Sequence, residues 1–399
     1  DFGCYEDVEG LPGGYEICGV GDGKFQVVYG NDIYDNGLLY GISTKGEEIF
    51  VGTSRGKILH SEDNGGNWSV FDVGGDIAGM PVNSIVALSG SIVFAAKDVN
   101  LAPIRVLNTN DNTWQTIYDL DNSIAKVNDI DFVDDNRGWA VGSKLIWISN
   151  DGGINWTKEK VYQIAEDANI LFEDTNFEIN SLHVFNESDG LALGYTSISG
   201  GGEKQVVFKR GINGTVVNTS TINNYDDIDD KENAWVVYSV VDYSKSHNTF
   251  HDISFINDDV GFIVGKGSLI LKTIDGGETW GERGVSISDL NIKSVKFVDE
   301  NNGTAVANID NPARSFILKT SDVGETWSVE QINTDLNFRS DYFDYLNTGD
   351  ILLTGPLVGS ADTYIFKGTS LSSDVLCGID NCSSPNQCIG EDELIAAQG

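Results

Sequence analysis

Cysteine, proline, methionine and positive charge are all scarce in this 399-residue chain. There is one Met and six Pro, and between Cys18 and Cys377 there is no cysteine. No run approaches the ~18 uninterrupted apolar residues of a spanning helix, so the chain is read as not membrane-spanning. Lys and Arg total 25 against 61 Asp and Glu, a net charge of −36. The seven arginines are scattered and no basic cluster exists, so nothing offsets phosphate repulsion and nucleic acid is excluded as a partner. Apolar residues make up 40%, enough for a buried core, which excludes a disordered chain. The acids divide into 41 Asp and 20 Glu, and that ratio points to tight turns rather than helices.

The cysteines sit only at the ends: Cys4, Cys18, Cys377, Cys382 and Cys388. That clustering is read as disulfide staples and an oxidising compartment, with pairing left open and one thiol spare. A start at Asp1 resembles a processed mature chain. The expectation is therefore an extracellular or cell-surface protein with a well-solvated acidic surface. Sequons at Asn186, Asn213, Asn218, Asn302 and Asn381 fit a glycoprotein, while those at Asn67 and Asn155 fall inside turns described below. The histidines His60, His183, His247 and His251 are mostly dispersed, and the pair His247 and His251, in no helical context, is read as ordinary surface residues.

Repeats decide the architecture. A polar turn with Gly, three or four apolar residues and then a small residue recur seven times, as in Gly138-Trp-Ala-Val-Gly142 and Gly261-Phe-Ile-Val-Gly265. An alternating segment precedes each copy (Val127-Asn-Asp-Ile-Asp-Phe132) and another follows (Leu269-Ile-Leu-Lys272). Period-two alternation bounded by Gly, Asn and Asp is the strand signal. Four strands per ~45-residue unit, seven times over, predict an all-β fold: a seven-bladed β-propeller of four-stranded antiparallel blades. Residues 1–35 are read as an N-terminal disulfide segment whose strand 25–29 closes the ring, 36–370 as the propeller and 371–399 as a Cys-containing tail.

Four units carry the same turn between their third and fourth strands. The residues are Ser61, Asp63, Gly65 and Trp68; Ser149, Asp151, Gly153 and Trp156; Thr273, Asp275, Gly277 and Trp280; Thr320, Asp322, Gly324 and Trp327. The Asp accepts backbone N–H bonds, the Gly supplies a positive φ and the Trp buries its ring, so these residues are structural. This is the Asp-box, or BNR repeat, found in sialidase and sortilin propellers. In repeat sequence the chain is most similar to the photosystem II assembly-factor propeller family. That resemblance covers roughly residues 36–370 and implies a role in assembling a membrane complex through a basic patch, against which the −36 charge argues.

No catalytic residue is identified, since the arginine and Tyr–Glu signature of sialidases is missing. The function expected is a non-enzymatic surface scaffold or interaction module, a subunit of a surface assembly or filament. The alternatives are a secreted glycoside hydrolase or glycan-binding propeller, and a membrane-complex assembly factor. The candidate binding loop holds Tyr225, Asp226, Asp227, Asp229, Asp230, Trp235, Tyr238 and Tyr243. Aromatics beside carboxylates suit a protein or glycan, and the acidic run could hold calcium although it lacks the Asp-x-Asp-x-Asp-Gly spacing. No other cofactor is expected. Self-association through the tail is the second expected contact.

Overall fold

Alternation in the sequence becomes seven sheets around one axis in the computed structural model. It describes residues 4–5, 17–18, 25–32, 37–72, 81–96, 104–109, 113–117, 127–143, 145–162, 177–186, 189–197, 203–210, 234–240, 249–285, 287–310, 313–332, 339–356 and 362–368. Ahead of the ring lie the paired two-residue strands Cys4–Tyr5 (β1) and Ile17–Cys18 (β2), and then Phe25–Asp32 (β3). Blade one is Leu39–Lys45 (β4), Glu48–Thr53 (β5), Lys57–Ser61 (β6) and Ser69–Asp72 (β7). Blade two is Val82–Leu88 (β8), Ser91–Ala96 (β9), Ile104–Asn108 (β10) and Thr113–Ile117 (β11). Blade three is Val127–Phe132 (β12), Gly138–Gly142 (β13), Leu145–Ser149 (β14) and Thr157–Lys158 (β15).

The chain then forms Lys160–Tyr162 (β16), which pairs in parallel with the outer strand of blade four. Blade four itself is Phe177–Val184 (β17), Gly190–Ser197 (β18), Glu203–Arg210 (β19) and Ala234–Val240 (β20). Blade five is Phe250–Phe255 (β21), Gly261–Gly265 (β22), Leu269–Thr273 (β23) and Gly281–Glu282 (β24). Blade six is Asn291–Phe297 (β25), Gly303–Asp310 (β26), Ala313–Thr320 (β27) and Ser328–Gln331 (β28). Blade seven is Tyr342–Tyr345 (β29), Ile351–Pro356 (β30) and Asp362–Gly368 (β31), with β3 as its fourth strand. N- and C-terminal segments thus share a sheet, which leaves no open edge between first and last blades.

The repeated phrase has a steric meaning. The innermost strand of six blades carries a register shift near its start, for example between Val127 and Asp129 and between Ile179 and Ser181. The bulge pushes a carbonyl toward the second strand, where a side chain would collide: a Cβ on Gly194 would lie 2.1 Å from the Glu178 carbonyl oxygen. That is why the apolar run ends on a small residue. At the other end of the same strand, Gly138, Gly261 and Gly303 lie under the rings of Phe132, Phe255 and Phe297. Each of those rings meets an Asp-box Trp edge-on, at 6.0 Å for Phe132–Trp156 and 6.1 Å for the other two. Blades pack through such clusters, which hold Val, Ile, Leu and Phe from adjacent sheets.

Candidate functional site

Seven innermost strands surround a channel of about 980 Å³. Because the bulge adds one residue to each wall, the lining falls into three tiers. At the mouth are Tyr40, Asn83, Asn128, Asn180, His251, Lys293 and Asp341. Next come Gly41, Ser84, Asp129, Ser181, Asp252, Ser294 and Tyr342, and deepest are Ser43, Val86, Asp131, His183, Ser254, Lys296 and Asp344. The mouth opens on the face formed by the strand 2–3 and 4–1 connections.

The second tier ties blades together. Asp129 accepts from Ser84 Oγ of blade two at 3.0 Å and from the Leu182 amide of blade four at 2.9 Å. Asp252 accepts from Ser181 Oγ at 2.9 Å, Ser294 Oγ at 2.8 Å and the Val295 amide at 2.9 Å, joining blades four, five and six. In the third tier Asp131 accepts the Val184 amide, and Asp344 bridges the Thr44 amide at 3.0 Å and Lys296 Nζ at 2.8 Å. Burial, and then the neighbouring carboxylates Asp131 and Asp252, push Asp129 up to about 7. Burial opposes the Lys296 ammonium, yet Asp344, Asp252 and Asp131 together hold it above the ordinary lysine range. His251 is held down to about 4 by burial and by Lys293 and Lys266. Between the first and second tiers the rings of Tyr40 and Tyr342 stand at 85° with centroids 6.3 Å apart.

The Asp-boxes lie on the face away from the mouth and form alike. Ser61 Oγ donates to Asp63 at 2.9 Å, the Asn67 amide donates to the same oxygen at 2.7 Å, and Gly65 has φ 89°. Ser149–Asp151, Thr273–Asp275 and Thr320–Asp322 repeat the hydroxyl bond at 3.0, 2.7 and 2.8 Å. Indole N–H groups of Trp68, Trp156 and Trp280 donate to the carbonyls of Gly65, Gly153 and Gly277, whereas that of Trp327 has no partner among the described residues. The amides of Asn67 and Asn155 donate to box aspartates at 2.6 Å, and those of Asn186 and Asn302 donate to Asp189 and Asp299.

Of the candidate loop, Trp235 stands in β20, fully buried, with its indole donating to Glu159 at 2.8 Å. It sits at the start of the outer strand, where no Asp-box precedes it. Tyr238 is also in β20, while Tyr225, Asp226, Asp227, Asp229, Asp230 and Tyr243 lie outside the described residues, as do Asn213, Asn218, Asn381, Cys377, Cys382 and Cys388. Register places Cys4 opposite Cys18, and no disulfide is seen among the described residues. Nor do three His, Cys, Asp or Glu side chains there converge on a metal position. His251 corrects the sequence reading, since it lines the channel and is not on the outer surface. His60 is 4% exposed and stacked between Phe50 and Phe71, and His183 and His251 line the channel. Their neighbours in sequence are alternating, so the inward face was not legible without the bulge.

Similarity to known proteins follows the repeat. Over 52 residues the chain is 42% identical to a photosystem II assembly lipoprotein Ycf48 of Prochlorococcus marinus, 12% of this chain and 15% of the relative. A second strain's Ycf48 is 37% identical over 71 residues, 18% of this chain and 20% of the relative. The chain thus spans a fifth or less of these curated relatives. Among solved structures, YCF48 from Cyanidioschyzon merolae matches with a TM-score of 0.58 at 13% identity, covering 87% of this chain and 99% of that one. A structure described as "YCF48 bound to D1 peptide" matches at 0.57 and 12%, covering 86% and 95%. At those identities the likeness shows the fold. The lipoprotein relatives overturn the expectation of a secreted, extracellular or cell-surface structural protein, and with it the disulfide and glycoprotein reading built on the same argument. Terminal cysteines and acidic composition do not name a compartment, whereas the repeat carries ancestry. The family model for the photosynthesis system II assembly factor YCF48 matches residues 106–207 and 230–347, more than half of the sequence, and the chain belongs to that family.

Proposed function

We propose that this protein is a photosystem II assembly factor that holds a polypeptide segment of a photosystem II subunit on the channel-mouth face. The observation that carries this reading is the family match across more than half of the chain. The relative described as bound to D1 peptide supports a polypeptide ligand, and the polar mouth supplies amides, phenols and charges on rigid strands to receive one. In this reading the chain does no catalysis. Similarity to a streptogramin B lyase structure, with a TM-score of 0.54 at 12% identity, carries the fold alone. Among the described residues no helix is long and apolar enough to cross a membrane.

The net charge of −36 does not oppose this role, because it averages over unlike faces. Turns joining strands one and two bond to those joining strands three and four, as Asn64 does to Glu47 and Gly276 to Asp259. Their acids, among them Glu47, Glu62, Asp134, Asp258, Asp275 and Asp322, therefore share the Asp-box face, away from the mouth. The test is fluorescence titration of the full chain with overlapping synthetic peptides covering D1. One region is expected to bind at roughly micromolar Kd. Absence of binding by every peptide, with the chain folded, would refute the reading.

A further inference from the structure

We propose that the outer part of the channel is a receptor for one alkylammonium or guanidinium group, built from Tyr40 and Asp341 at the mouth and Tyr342, Asp129 and Asp252 in the tier below. The proposal rests on the mouth being the partner-holding site, and it names the chemistry that the site reads. Three observations point to a cation. First, two tyrosine rings at right angles, 6.3 Å between centroids, form two walls of an aromatic corner that suits a positive group. Second, carboxylates surround the same corner. Asp129, Asp252 and Asp341, from blades three, five and seven, line the channel with Tyr342, and burial first and then Asp341, Tyr40, Asp129 and Asp252 raise the Tyr342 pKa.

Those acids are not equally filled. Asp252 takes two donors on each oxygen: Ser181 Oγ and the Ile253 amide on one, Ser294 Oγ and the Val295 amide on the other. On Asp129, Oδ1 takes Ser84 Oγ and the Ile130 amide, but Oδ2 takes only the Leu182 amide, which leaves one acceptor position. The half-buried Tyr342 and the side chains of Asn83 and Asn180 line the channel beside these carboxylates.

Third, the channel already holds one ammonium in an ion pair with its wall. Lys296 Nζ sits 2.8 Å from Asp344 and within the field of Asp252 and Asp131, one tier below. Carboxylates one tier up, with the rings of Tyr40 and Tyr342 beside them, fit a second cation. Lys293 and Lys266 beside His251 place positive charge at blades five and six, which directs an incoming cation toward blades seven and one. A lysine or arginine side chain of a polypeptide and a free polyamine share this chemistry.

The experiment is calorimetric titration of the full chain with N-acetyl-lysine methylamide, its uncharged norleucine counterpart, and spermidine. Binding of the lysine derivative at least tenfold tighter than the norleucine one is expected. It should weaken at least tenfold in Asp129→Asn and in Tyr342→Ala, and strengthen as pH rises through about 7, where Asp129 ionises. Should Tyr342→Ala not fold, Tyr40→Ala carries the same test. Equal binding of the norleucine derivative, or unchanged affinity in folded variants, would overturn the proposal. Spermidine binding far tighter than the lysine derivative would assign the site to free polyamines. D1 peptides that bind unchanged to Tyr342→Ala would leave the assembly reading standing and remove this one. Lysine binding without any D1 peptide binding would do the reverse.

Discussion

Glu159 lies between β15 and β16, where blade three hands the chain to blade four, and it is 6% exposed. It accepts from the indoles of Trp139 at 3.0 Å and Trp235 at 2.8 Å, and from Arg210 Nε at 2.9 Å and Nη2 at 2.7 Å. Arg210 is 1% exposed and also lies 5.0 Å over the Trp139 ring. Glu159→Gln keeps an acceptor for the indoles but leaves a guanidinium charge in a sealed site, facing an amide that donates. Breaking one partner of such a pair costs about 3–5 kcal/mol. Arg210→Met leaves the opposite charge behind and costs a similar amount. The double variant strands neither charge, so its loss should fall to about 1–2 kcal/mol, well short of the sum of the single losses. Urea unfolding followed by tryptophan fluorescence and far-UV circular dichroism measures this, provided the two probes coincide. A single variant within about 1 kcal/mol of wild type, or a double variant destabilised by the full sum, would refute the claim that this pair locks blades three and four together.

Other consequences follow from the turns, the bulge and the channel. Hydrogen bonds from the Thr326 side chain and amide hold Asp322 down to about 2. Its contribution is therefore complete above about pH 4 and lost as pH falls toward 2, and Asp322→Asn should show a shallower acid-unfolding slope than wild type over that range. Asp129 has the opposite sign: its folded value near 7 exceeds the unfolded one, so stability falls as pH rises from about 4 to 7, and Asp129→Asn should flatten that fall in thermal melts. Gly194→Ala puts a methyl 2.1 Å from the Glu178 carbonyl oxygen and should cost about 1–3 kcal/mol in denaturant unfolding. An unchanged midpoint would mean that the bulge gives way. Thr44→Val removes hydroxyl donation to the Tyr345 carbonyl at 2.7 Å and to Asp344 across the closing seam, and should cost about 1 kcal/mol by the same measurement.

Sequence alone determined the fold, because propeller information is local and repeated. Each Asp-box is set by eight contiguous residues, and each strand by its own alternation, so seven recurrences specify seven blades without any long-range contact. The same locality explains the family resemblance, which lives in those turns and in the phrase ending on a small residue. What the sequence did not determine is where distant residues meet. Glu159 stands between two lysines and Arg210 ends a strand, yet 51 residues of separation close into a pair of hydrogen bonds. Trp235 read as part of a binding loop because its box is missing, and only the packed sheet shows it in β20, donating to Glu159. His183, His251 and the aspartates of the wall look like surface residues of alternating strands. Closing the ring turns their polar face inward, and the bulge brings two successive residues to the wall. The partner chemistry therefore depended on closure, since the mouth takes one or two residues from every blade and exists only when seven non-adjacent segments face one axis.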